Sequence, residues 1–370
     1  MGKKREALEW IESSIAKYPN RGYLWYLKGL LLEESQTNEK LECHDKALGL
    51  FEESDALERH LVHYAKAGVL YGANRLEEAL LSLEKATESQ PSCPAGWSRK
   101  GFALLRLNRI PESLGSFEKA LEMNPKYWEP WYGKGAVLAV LGSDHYDEAI
   151  EYFDKAIEIE PGKAVLYFSK GELLSRMDRL TEALTFYEQG LKYDTKDSCG
   201  WCLKGLAFAK LKRYSEALDS FNKSLDLGPP DYCTLVLVHK GMALTLLERI
   251  PEAKDSIKNV DEKKIDEADS LNNYAWLLYR LREFNKGIEI SRKAIEVKPD
   301  DAHIWDTLAC NLQGAGLDSE ALEAFEKAVR LKKTDEAINW EALAKLYERL
   351  GRHEEADRAK QKIRKKDSKA

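Results

Sequence analysis

A small residue returns every 34 to 36 positions along most of this 370-residue chain, and no other feature restricts its folds as severely. Gly101, Gly135, Gly171, Gly205, Gly241, Ala275, Ala309 and Ala344 mark the beat. Four residues before each stands a large one: Trp97, Trp131, Tyr167, Trp201, Leu237, Leu271, Trp305 and Trp340. About a dozen residues after each comes Ala or a small substitute (Ser113, Ala149, Ala183, Ala217, Ala253, Gly287, Ala321, Ala356), and in most units Phe or Tyr follows four later. Trp25 with Gly29, and Tyr64 with Gly68, open two earlier units. A period of this length is the mark of a repeat array, in which no single unit can bury its own apolar face and stacking supplies the core. Within a unit, Trp97, Gly101 and Leu104 share one helical face at i, i+4 and i+7. The prolines support the same division. Pro19, Pro91, Pro125, Pro161, Pro229, Pro230 and Pro299 fall between units, Pro94 and Pro130 at the start of a first helix, and Pro111 and Pro251 at the start of a second. There the missing N–H costs nothing, whereas in a helix interior it costs about 3 kcal/mol.

The run from Trp97-Ser-Arg-Lys-Gly101 through Glu118-Lys-Ala-Leu121 to Pro125 resembles the tetratricopeptide repeat almost position for position. The resemblance extends over ten units that begin near residues 22, 61, 94, 128, 164, 198, 234, 268, 302 and 337, and their wording is similar to that of prokaryotic, especially archaeal, members. It implies an all-α, right-handed superhelical solenoid of tandem helix-turn-helix repeats. On this reading the glycine admits the second helix, Ala149 and Ala217 face it, and Phe153 and Phe221 fill the seam to the next unit. Trp201, taken as a seam residue, is expected to cost about 3–5 kcal/mol when cut to Ala. The organisation predicted is a leading helix over 1–21, regular repeats over 22–233, an irregular seventh repeat over 234–267, and three further repeats over 268–370. The last of these ends in a polar capping helix and a basic tail. The leading helix reads as a second helix without its first, or as a cap. Two extra residues lengthen the turn around 142–148.

The resemblance also implies a concave groove lined by the first helices, where an extended peptide or a helix of another protein docks. The groove-facing positions begin one residue after the large one. Phe102, Tyr132, Phe168, Leu206, Met242 and Trp276 are expected to anchor apolar side chains of a partner, with Asn272 beside them; the competing expectation is that neighbouring first helices bury these residues against one another. Farther on, the lining turns polar at Asp306, Cys310, Glu341 and Lys345. The asparagine that follows the glycine in chaperone-tail clamps has no equivalent, and of the asparagine ladder of sugar transferases only Asn273 remains. Arg106, Arg176, Lys210, Arg280 and Arg349, five after the small residue, suit the negative end of the first helix's dipole.

Composition closes other routes. The net charge of -6 disfavours a nucleic-acid binder that works by bulk attraction. No window approaches a membrane span, and the N-terminus lacks a secretory apolar core. Six cysteines are too sparse for a disulfide framework and suit a reducing, cytoplasmic setting. Cys199-Gly-Trp-Cys202 has dithiol spacing but falls at the start of a helix with no second pair. His60 and His63, with Cys43-His44 in the preceding helix, read as surface histidines. No nucleophile elbow, P-loop or dinucleotide fingerprint occurs. The expectation is therefore a non-catalytic scaffold that binds a protein or peptide, with no cofactor, metal, nucleic acid or membrane; self-association stays open. The alternatives are the regulatory or substrate-recruiting part of a larger enzyme, motivated by the leading helix, and a self-assembling or RNA-binding array.

Overall fold

The computed structural model describes residues 2–228, 233–331 and 338–367, and among these there are helices and turns but no strand. Pro229 and Pro230 lie outside the described residues. Contacts divide the chain into two units, 1–179 and 180–370.

The first unit opens with α1 (Gly2–Lys17), which packs on α2 (Gly22–Leu31). Seven helices follow, second and first helices of the repeats in alternation: α3 (Thr37–Leu50), α4 (Ala56–Gly72), α5 (Leu76–Ser89), α6 (Pro94–Arg106), α7 (Ile110–Met123), α8 (Trp128–Leu141) and α9 (Tyr146–Ile159). The unit ends on α10 (Ala164–Arg176). Each helix packs on its successor, and the even-numbered first helices also touch one another, α2 on α4, α6 on α8 and α8 on α10.

The second unit runs from α11 (Leu180–Tyr193) through the pair α12 (Ser198–Lys210) and α13 (Tyr214–Asp226) to α14 (Cys233–Leu246) and α15 (Ile250–Ser256). It continues with α16 (Ala268–Arg280), α17 (Phe284–Val297), α18 (Ala302–Gly314), α19 (Asp318–Leu331), α20 (Trp340–Arg349) and α21 (His353–Asp367). Helix α15 is short and gives way to 3-10 turns at Ile257–Asn259 and Glu262–Lys264. Helices α14 and α16 pack directly here: a Cβ on Gly241 would lie 2.7 Å from Leu277 Cδ2.

One turn is used again and again. Asn74, Asn108, Asp178, Lys212, Glu248 and Arg282 hold φ near +60°, and Gly316 and Gly351 take over that place late in the chain. The residue after it donates its N–H five back, as Arg75 does to Leu70 O at 2.9 Å and Arg109 to Leu104 O at 2.9 Å. This left-handed stop closes the first helix and aims the chain into the second. The longer turn of the fourth repeat departs from it: Gly142 holds φ +115°, which a side chain would strain, and a 3-10 turn over Ser143–His145 absorbs the extra residues.

The seam is built differently from the expectation on the tryptophans. Phe117 is fully buried and sits between two glycines, so that a Cβ on Gly101 or on Gly133 of the next first helix would come within 2.6 Å and 2.3 Å of its ring. Phe153 and Phe221 stand likewise against Gly135 and Gly205. Trp97, Trp131, Trp201 and Trp305 are half-buried instead. Their indole N–H groups donate to the inter-repeat turn, Trp97 to Pro91 O (2.8 Å), Trp131 to Pro125 O (2.9 Å), Trp201 to Thr195 O (3.1 Å) and Trp305 to Pro299 O (2.7 Å). A lysine of the second helix covers the ring, Lys119 over Trp97 at 4.3 Å and Lys223 over Trp201 at 4.4 Å. Trp201 is a latch on a turn, not a core residue.

The histidines of the early repeats are not at the surface, contrary to expectation. His44 is fully buried against Gly29, whose Cβ would fall 2.6 Å from the imidazole Cε1; it fills the place that Phe117 fills at Gly101. His60 and His63 are buried as well, and His60 Nδ1 lies 2.8 Å from Ala86 O. Helical spacing gives their common face but not what packs on it. Among the described residues no three groups are placed to hold a metal, and no helix is long and apolar enough to cross a membrane.

Candidate functional site

The first helices of each unit enclose a cavity. In the first unit it measures about 400 Å³ and is walled by Ala67, Gly68 and Tyr71 of α4, Leu83 of α5, Arg99 and Phe102 of α6, and Trp128, Glu129 and Tyr132 of α8. Phe102 and Tyr132 were expected at a groove and meet here, ring centroids 5.9 Å apart. Both are half-buried, because Phe102 leans edge-on to Phe117 at 5.0 Å and Tyr132 lies 5.8 Å from Phe153. Neighbouring repeats thus cover part of each ring and leave the rest to the cavity. The polar wall is tied down. Arg99 stacks its guanidinium 4.2 Å over the Tyr64 ring, and Glu129 accepts from Tyr127 Oη at 2.6 Å and Ser98 Oγ at 3.4 Å. Burial and this bond to Glu129 push the Tyr127 hydroxyl well above its usual range.

Phe168 is buried, so it serves packing. Leu206 is half-buried and lines neither this cavity nor those of the second unit.

In the second unit a cavity of about 500 Å³ collects Met242 of α14, Asn272, Asn273, Trp276 and Tyr279 of α16, His303, Asp306, Thr307 and Cys310 of α18, and Asn339, Trp340 and Glu341 at the start of α20. Three expected groove residues, Met242, Asn272 and Trp276, come together here. Asn272 Oδ1 is buried with no hydrogen-bond partner. Arg280 lies 5.2 Å over the Trp276 ring.

Asn339 organises the opposite wall. Its backbone N–H donates to Asp306 Oδ1 (2.7 Å), its Nδ2 to Cys310 Sγ (3.6 Å), and its Oδ1 accepts from Ala342 N (3.1 Å), which caps α20. Burial pushes the Asp306 carboxyl up to about 7, and the Asn339 N–H opposes that rise. Burial pushes the Cys310 thiol well above its ordinary value too. An adjoining cavity of about 710 Å³ shares Tyr279, Cys310, Asn339 and Glu341 and is edged by Arg280, Arg282, Lys345 and Arg349. Besides Arg280 over Trp276, Lys345 is engaged with Glu341 at 2.7 Å and Arg349 with Asp318 at 2.7 Å.

Asp306 and Cys310 sit at groove positions in the sequence pattern, but Asn339 and Trp128 do not belong to its run of anchors. Trp128 stands at the first position of its helix and Asn339 in a turn, where the period carries no signal. The Cys199-Cys202 pair is split by the fold: Cys199 is exposed, whereas burial pushes the Cys202 thiol up to about 12, which leaves it inert.

Family models described as tetratricopeptide repeat match residues 64–114 and 99–164, residues 140–204, and residues 200–231 and 268–301. Curated relatives match over one short stretch. The peroxisomal targeting signal receptor of Candida albicans is 38% identical over 58 residues, and that of Eremothecium gossypii 36% over 58 residues. Each match takes in 16% of this chain and only 10% of the receptor. Among solved structures, a chain of the APC/C hetero-tetramer Cut9-Hcn1 superposes over 83% of this chain and 59% of its own, at TM-score 0.59 and 17% identity. A tetratricopeptide repeat protein from Parabacteroides merdae covers 69% of this chain and 99% of its own, at TM-score 0.51 and 15% identity. These likenesses show the fold.

Proposed function

Because the chain belongs to the tetratricopeptide repeat family, we propose that it is a non-catalytic scaffold which holds a segment of a partner protein against its first helices. The observation that carries this reading is the pair of cavities walled by those helices, in which side chains from three or more successive repeats converge. Nothing inside a helix pair requires Tyr71, Phe102, Trp128 and Tyr132 to leave part of their surface around a common space. Anchoring residues of a bound chain have this need for desolvated aromatic walls. The likeness to targeting receptors and to an APC/C assembly chain fits a role in protein recognition.

Affinity capture from source-cell lysate tests the reading. The baits are the wild type and two variants, Tyr71→Ser with Tyr132→Ser, and Trp276→Ser with Met242→Ser, checked by circular dichroism for equal helicity. Proteins held by the wild type and lost by either variant assign recognition to that cavity. Equal capture by all three baits removes the first-helix face from consideration.

A further inference from the structure

The second-unit cavity contains a carboxylate without a counter-ion. Asp306 lines it, accepts one hydrogen bond, from the Asn339 backbone N–H, and among the described residues pairs with no Lys, Arg or His. A carboxylate taken out of water with one neutral donor keeps most of its desolvation cost, and a cation is what offsets it. Asn272 repeats the signal from the facing helix, since its Oδ1 is a buried acceptor without a donor. No Lys or Arg contributes to the lining, although the adjoining cavity is edged by four. Trp276 and Trp340 supply aromatic wall, against which an alkyl stem packs and a cation is attracted. Cations at its edge are engaged elsewhere, Arg280 on the Trp276 ring, Lys362 on the Trp340 ring and Lys345 on Glu341.

Resting on the groove-binding reading, we propose that this cavity seats a basic side chain, lysine or arginine, of the partner segment. Asp306 is its counter-ion, Asn272 Oδ1 its second acceptor, and Trp276 the wall for its stem. A basic side chain so placed turns two uncompensated acceptors into charge-assisted hydrogen bonds, so it contributes specificity by its absence as much as by its presence: a segment lacking it leaves both acceptors unpaired.

The test selects heptapeptides from a random library on the immobilised full chain. Each selected peptide is then measured singly with its basic residue kept, changed to norleucine, or changed to Glu. The same peptides are titrated into Asp306→Asn, which preserves an oxygen for the Asn339 N–H while removing the buried charge, so the fold is not put at risk; its melting curve verifies this. The expected result is a basic residue common to the binders. Norleucine then lowers affinity for the wild type about tenfold or more, the loss expected for truncating one partner of a buried charge pair. Asp306→Asn lowers affinity for the basic peptide by a similar factor and changes that for the norleucine peptide less than about twofold. Binders that are acidic or apolar, or basic binders indifferent to Asp306→Asn, overturn this inference while leaving groove binding in place. A library that yields no binders, or binders indifferent to Asp306→Asn, Trp276→Ser and Tyr132→Ser alike, overturns the groove reading and this inference with it.

Discussion

Two kinds of buried titratable group give this protein opposite responses to pH. The Asp306 carboxyl, raised by burial to about 7 from an ordinary 3.8, holds its proton in the folded state where the unfolded chain has lost it. Its contribution to stability is therefore full below the unfolded value and is lost as pH rises from about 4 to 7. Asp306→Asn is expected to be more stable than the wild type at pH 8, by an amount on the order of 3–4 kcal/mol, and to match it near pH 4. Urea denaturation of both proteins at the two pH values measures the difference. The imidazoles of His44 and His63 go the other way, because burial lowers both to about 4 from 6.5. Their contribution is present above 6.5 and is lost as pH falls toward 4, on the order of 3 kcal/mol for each ring. Burial lowers His239 to about 4 as well, so His44→Phe, which copies Phe117 against Gly101, is expected to remove about a third of the acid sensitivity, read as the change in melting temperature between pH 7 and pH 4.5. None of this was legible in the sequence. The spacing of His60 and His63 suggested a polar face, but the pKa of a side chain depends on what distant helices place around it.

At the scale of the helix pair, the division of labour between aromatic residues decides which substitutions matter. Phe221 is completely buried against Gly205, and its truncation to Ala leaves a cavity; the expected loss is about 3–5 kcal/mol. Trp201 is half-buried, holds Thr195 O through its indole and lies under Lys223, so Trp201→Ala is expected to cost less, about 1–2 kcal/mol. Equilibrium denaturation of the two variants side by side checks the order. The pattern marks both residues equally because both recur with the period. It does not tell a residue conserved in position for packing from one that locks a turn. Turn chemistry was legible where proline or glycine signalled it, and illegible at Lys212, Glu248 and Arg282, which adopt the left-handed stop without a favoured residue type.

Within each unit, stability is built largely from contacts between sequence neighbours, as where α4 packs on α5, α6 on α7, α12 on α13 and α18 on α19. Damage in such an array spreads little beyond the repeats it touches. Hydrogen exchange followed by mass spectrometry is expected to show faster exchange in α12, α13 and α14 of Phe221→Ala, and unchanged exchange in α2 to α5. Uniform acceleration over the chain would indicate a single cooperative fold instead. What the sequence by itself determined is the repeat: its length, the helix pair, the small residue that recurs in each first helix, and the departures around 142–148 and 234–267. All of these are written in local periodicity and turn residues, which act over a few turns of helix. What only the tertiary structure decided is the chemistry of the cavities. Asp306 became an uncompensated carboxylate because Asn339, 33 residues on, offers it one backbone N–H and no cation, and Asn272 on the neighbouring first helix shares the same space. Desolvation and the pairing of charges are properties of the assembled surroundings, and no spacing along the chain encodes them.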